Sequence, residues 1–289
     1  MFSISTVSPA GSECWFWAGL ILAATFCIRC NSNQGRDEGQ VAAVAAAKAP
    51  EKNVPAAAGK LEATAKSDHA ALLELCLKHY RENYRDYTCL FKKQERMRGT
   101  LGRVQEIDVK FMDHPFSVSM HWIKNPPSQA DWVLYVDGKW KDQMMVRPTG
   151  LGLLAGPQLR APDGPEAMRE TLKPVTAFGF ERTLRALIDV YALSKKNGEL
   201  RQEFGGYATV DGRDTLILVR YLPNKPEYPA WKTVTYIDTE CLLPVMIEGY
   251  GWDDQHLLLC RYAYRNVKFN VGLTAEDFLP KANGMIVPH

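Results

Sequence analysis

The sequence predicts an α+β domain in which helices lie against one face of an antiparallel sheet. Three observations carry this reading. The hydrophobic period switches from 3.6 to 2 just after residue 84. The period-2 segments then follow one another through Gly-, Pro- and Asp-containing turns, without the strand–helix alternation of a parallel sheet. Two amphipathic segments, 68–84 and 178–196, supply the helices.

Taken in order, the chain divides into residues 1–30, 31–67 and 68–289. Trp15 to Ile28 is an uncharged apolar run closed by Arg29, near the length of a signal-peptide core and short of the roughly 20 residues that span a bilayer. Residues 1–30 therefore read as a signal peptide or a membrane anchor, although Glu13 stands where a positive segment is usual. Cys27 and Cys30 occupy positions at which a lipoprotein leader would carry its acylated cysteine, but Phe26 and Arg29 are not the small residues such a site wants upstream. Residues 31–67 are Ala-rich, with Pro50 and Pro55, and lack large apolar side chains to offset the entropy of ordering; they read as a linker with room for a short frayed helix.

From Asp68, a capping residue, the apolar positions Leu72, Leu73, Leu75, Cys76, Leu77 and Tyr80 mark a helix ending near Tyr84. Tyr87 to Phe91 starts a strand that runs into the charged stretch Lys92, Lys93, Glu95, Arg96 and Arg98, read as a solvated strand end able to meet headgroups or a partner. Gly99 to Gly102 turns the chain, and Val104 to Met112 returns. Phe116, Val118, Met120 and Trp122 alternate with Ser117, Ser119, His121 and Ile123, the pattern of a half-buried strand. Trp132–Val136 and Trp140–Val146, joined at Asp137-Gly138, complete a five-stranded meander. Gly150 to Pro174 is a Gly/Pro-rich crossover, open to reading as a lid. Phe178 to Lys196 is the second helix, with Phe180, Leu184, Leu187, Ile188, Tyr191 and Leu193 on its apolar face. Thr215–Tyr221, Trp231–Ile237, Val245–Tyr250 and Leu257–Tyr264 form a second group of strands.

Composition narrows the function. The chain has 289 residues, 46% hydrophobic and 24% charged, with 35 Lys+Arg against 33 Asp+Glu and a formal net charge of +2. These values exclude a wholly disordered or polytopic membrane chain. The charge balance speaks against nucleic acid, which is normally met by a strong positive field.

Tyr87-Thr-Cys-Leu-Phe-Lys-Lys-Gln-Glu-Arg96, Val109-Lys-Phe111, Pro115 to Trp122 and Leu134-Tyr-Val-Asp-Gly138 resemble a bacterial envelope family known as domain of unknown function 1571, over about residues 70–280. The order of elements is also similar to LolA-like lipoprotein-carrier domains. That resemblance implies a strongly curved antiparallel sheet, a half-open barrel, with helices packed on its concave face around an apolar cavity for acyl chains. It implies a non-catalytic binder of lipids or lipoproteins, exported to the periplasm or cell envelope, with the membrane surface as a further possible contact. The alternative is an interaction or sensor module with a packed core.

The strand faces Phe116, Val118, Met120, Trp122 and Leu216, Leu218 are the candidate cavity lining. A cavity larger than about 300 Å³ would favour the carrier reading. Trp132, Trp140, Trp231 and Tyr236 are more ordinary core aromatics. No catalytic residue, cofactor or metal is assigned. Gly150-Leu-Gly152-Leu-Leu-Ala155 matches a loose dinucleotide pattern, but Pro148 and Pro157 deny it the strand–turn–helix setting. Asp253, Asp254 and His256 read as turn-formers through Asx bonding before they read as ligands. Cys76 and His79 share a helix face, too few for a zinc site. Of the seven cysteines, Cys76, Cys89, Cys241 and Cys260 fall in the domain, either as buried thiols or with one disulfide. Counting back from the 253–254 turn sets Cys260 opposite Ile247.

Overall fold

The computed structural model describes residues 56–285; the apolar run and cysteines of residues 1–30, read as a signal peptide or anchor, and most of the stretch read as a linker lie outside them. Twelve strands form a curved antiparallel sheet that does not close. The strands are β1 (Asp86–Met97), β2 (Thr100–Leu101), β3 (Gln105–Met112), β4 (Ser117–Lys124), β5 (Ala130–Val136), β6 (Met144–Pro148), β7 (Gln158–Arg160), β8 (Arg201–Val210), β9 (Arg213–Tyr221), β10 (Lys232–Asp238), β11 (Pro244–Tyr250) and β12 (Leu258–Phe269). Their order is β7-β6-β5-β4-β3-β1-β12-β11-β10-β9-β8, with β2 paired to the end of β1. Two meanders are thus joined by one seam, β1 against β12, in which Phe91 faces Tyr264 and Lys93 faces Tyr262. Together with its helices this is an α+β half-open barrel.

Helices α1 (Ala56–Ser67), α2 (His69–Asn83) and α3 (Phe180–Lys196) accompany the sheet. Asp68 caps α2 by accepting the Ala71 N–H at 3.1 Å. Leu72, Leu73, Cys76, Leu77 and Tyr80 of α2 are buried with Phe180, Leu184, Leu187 and Tyr191 of α3 against Tyr87, Phe91, Ile107 and Phe111 of the sheet. Leu75 is exposed, because it stands one residue off the stripe that its neighbours define. Helix α1 lies within the stretch read as linker; its Ala65 is fully buried, and Glu62 accepts the Tyr207 hydroxyl at 2.7 Å.

Several local readings are corrected. Strand β4 is buried on both faces over its first half. A second cluster, Met112, Leu134, Val136 and Met145 with Phe278 and Met285 of the C-terminal segment, covers the outer side, so Ser117 and Ser119 are buried. Trp140 is not in a strand: Trp140, Lys141 and Asp142 all have positive φ in a turn before β6. Strand β8 is an additional edge strand. Its Gly205 is required because a Cβ there would stand 2.7 Å from Cγ2 of Ile217. Cys260 faces Gly249 rather than Ile247: Tyr250 pairs with Leu258, already one residue off the count from the 253–254 turn, and an irregularity between Gly249 and Tyr250 adds a second; a Cβ on Gly249 would meet the Cys260 sulfur at 3.0 Å. All four domain cysteines are free thiols.

Candidate functional site

Side chains of successive strands stack in cross-strand rungs on the concave face. Tyr264 faces Phe91, Phe91 faces Ile107, and Ile107 faces Trp122; next to this rung, Met120 faces Val133 and Val133 faces Val146. These residues form the floor of a cavity of about 150 Å³. Its roof is a strap, residues 161–177, which leaves β7, crosses the concave face and enters α3. Pro162, Ala167, Pro174, Val175 and Ala177 give the strap an apolar underside. Phe178 then plugs it into the core, its ring 5.1 Å from that of Phe91. Gly179 follows with φ +109°, where a Cβ would stand 2.8 Å from the Phe111 ring, so the chain can turn into α3 here only without a side chain.

One end of the cavity is polar. Along β1 the inward positions are Tyr87, Cys89 and Phe91, then Lys93 and Glu95; the charged pair is buried, not solvated as the run 92–98 had suggested, because β1 continues its alternation under the strap. Lys93 and Glu95 form an ion pair at 3.3 Å. Glu95 also accepts the Tyr262 hydroxyl at 2.6 Å and the Leu172 N–H at 3.2 Å, while Lys93 donates to Thr171 Oγ1 at 3.1 Å. Burial, with Cys260 and the Glu95 carboxylate beside it, pushes the Tyr262 phenol well above its ordinary pKa and keeps it a donor. The strap is tied down at two further points: Arg160 pairs with Glu166 at 3.3 Å, and Glu170 accepts the Ser128 N–H at 3.0 Å and the Ser128 hydroxyl. Lys173 lies 5.3 Å above the Tyr262 ring.

Of the candidate lining residues, Met120 and Trp122 are in the cavity wall; Trp122 is held by its Nε1–H donating to Gln105 at 3.0 Å. Phe116 and Val118 are buried in the core beyond the cavity, where Arg182 covers the Phe116 ring at 3.4 Å. Leu216 and Leu218 are buried on β9, across the seam, against the helices. Trp132 stacks on His121 on the outer face at 4.0 Å. The wall residues that sequence reasoning did not single out include Val133, Val146 and the whole strap underside. Alternation along β5 and β6 marks the first two; nothing in a Pro-rich crossover marks the third.

Of the hairpin carboxylates Asp254 acts as a turn-former, its Oδ1 accepting the His256 N–H at 2.8 Å. Among the described residues no cluster of three or more His, Cys, Asp or Glu could hold a metal ion, and no helix is long and apolar enough to cross a membrane.

No curated protein matches the chain. Among solved structures it is similar to MucB, known from Pseudomonas aeruginosa in complex with MucA: 15% identity and a TM-score of 0.45 over 74% of this chain and 63% of MucB, under two thirds of that protein's length. It is also similar to the lipoprotein LppX of Mycobacterium tuberculosis, with 14% identity and a TM-score of 0.40 over 72% of this chain and 99% of that one. A LolA superfamily protein of Nitrosomonas europaea matches at 9% identity and a TM-score of 0.32, over 73% and 98%. The sequence profile of a protein family of unknown function, DUF1571, matches residues 84–284, and the chain belongs to that family.

Proposed function

We propose that this protein is a non-catalytic, exported carrier or sensor that binds the acyl chain of a lipid or lipoprotein beneath the strap. The apolar cavity between the concave rungs and the strap, with its polar end at Lys93 and Glu95, is the observation that supports this reading. It suits an amphiphile whose tail lies on Met120, Val133 and Val146 and whose head reaches the polar end.

The volume sets the scale. A cavity of about 150 Å³ takes only part of an acyl chain, each buried methylene contributing about 0.8 kcal/mol. Set against the cost of association, burial on that scale gives weak binding. The observed cavity is about half the expected size, so tight binding requires the strap to rise and admit more of the chain. The same small volume favours the packed-core interaction module as the second reading.

Protein purified from its own host is expected to carry lipid in native mass spectrometry, and added fatty acid is expected to quench tryptophan fluorescence through Trp122. Val133→Phe fills the cavity without adding an indole to the readout and should weaken quenching at least about tenfold while keeping a cooperative thermal transition. A clean apo mass together with unquenched wild-type fluorescence would favour the packed-core module instead.

A further inference from the structure

From Pro148 to Leu159 the chain carries no charge. After β6 it makes two tight turns, Gly152 N–H to the Thr149 carbonyl at 3.2 Å and Gly156 N–H to the Leu153 carbonyl at 3.1 Å. The result is a tip on which Leu151 is 89%, Leu154 87% and Leu153 54% exposed, with Leu159 of the following β7 45% exposed beside it. A soluble surface scatters single leucines; three within one six-residue turn segment, with a fourth on the next strand, form a patch that calls for an occupant.

The tip adjoins the strap. At its base the Thr149 hydroxyl donates to the Ser128 carbonyl at 2.8 Å, and the same Ser128 donates its N–H and hydroxyl to Glu170 of the strap. Gln129, whose carbonyl accepts the Thr149 N–H, also lines the cavity. The flanking arginines are already neutralised, Arg147 by Asp131 at 2.8 Å and Arg160 by Glu166. The tip therefore presents apolar side chains without net charge, two of them almost fully exposed and so projecting from the surface. A protein partner would need a matching groove, whereas the acyl region of a bilayer conforms to such a shape. Fewer than thirty residues separate the apolar run ending at Ile28 from α1.

We propose that the tip Gly150–Ala155, with Leu151, Leu153 and Leu154, inserts into the surface of a lipid bilayer and sets the strap edge of the cavity against it. This extends the acyl-binding reading by naming where the cavity meets its lipid. Attraction would be apolar, so raised salt should leave it unchanged.

Hydrogen exchange of the full-length chain on phosphatidylcholine vesicles tests this peptide by peptide, independently of any binding by the leader. Amides of residues 149–157 are expected to slow at least about tenfold on vesicles, at low salt and in 0.5 M NaCl alike. Leu151→Ser/Leu154→Ser should abolish that protection, with the thermal midpoint unchanged because both side chains are exposed. Unaltered exchange of 149–157 in the wild type, or protection that persists in the double variant, would overturn the proposal. Tip protection in a protein that carries no lipid by native mass spectrometry would leave docking standing and remove acyl binding.

Discussion

Glu95 accepts from an ammonium, a phenol and a backbone amide at once, and this convergence fixes the strap to the sheet. Removing one partner of a buried ion pair costs more than the pair contributes, since the survivor is left charged and unsolvated. Glu95→Ala strands Lys93, Tyr262 and the Leu172 amide, and should lower stability by about 3 kcal/mol in urea unfolding. The double variant Lys93→Met/Glu95→Leu removes the stranded charge but still leaves the Tyr262 hydroxyl and the Leu172 amide without an acceptor, so it should recover only part of that loss, about 1 kcal/mol. A neutral Glu95→Ala would show that the pair does not anchor the strap. These two residues also mark where residue-level reading stops. Phe116, Met120 and Trp122 betray their face by alternating with Ser and His. Lys93 and Glu95 alternate as regularly, but as charges they read as solvated until a second segment is known to lie above them.

At the scale of elements, α2 and α3 are joined by His69, whose Nδ1 lies 2.9 Å from the Tyr191 hydroxyl, next to the buried guanidinium of Arg220. Burial holds the imidazole down to about 4, with Arg220 adding to the effect and the Ala65 carbonyl and Asp68 opposing it. The unfolded imidazole titrates near 6.5. Between pH 6.5 and 4 the unfolded chain therefore binds more protons than the folded one. The contribution is full above pH 6.5 and falls as the pH drops, by about 3 kcal/mol at pH 4. Urea midpoints measured from pH 7.5 to 4.5 should fall less steeply for His69→Gln than for wild type; parallel curves would place the pH sensitivity elsewhere. Both helices were legible from their 3.6 period, and the Asp68 cap with them. Strand β8 was not, because Gly205 and Gly206 interrupt its alternation, and an edge strand exposed on one side needs few large apolar residues. The β11–β12 register was two residues away from a count based on an ideal turn, one from the turn's centre and one from an irregularity, and neither leaves a mark in composition.

For the whole molecule, the half-open architecture followed from period and resemblance, while the strap and the outer cluster around Phe278 and Met285 depend on contacts between distant segments. The sheet is held across its middle by β1 and β12, and both meanders pack the same helices. Neither half should be stable alone. A chain ending at residue 257, without β12, is expected to lack a cooperative urea transition, whereas the intact chain should unfold with coincident circular dichroism and fluorescence. A stable, cooperative fragment would show that the meanders are separate units. Because the central seam joins the first long strand to the last, the order of synthesis matters. While the intervening segments are being made, β1 keeps an open edge and the aromatic floor has no complete wall, so the two meanders can join into one sheet only after β12 has emerged.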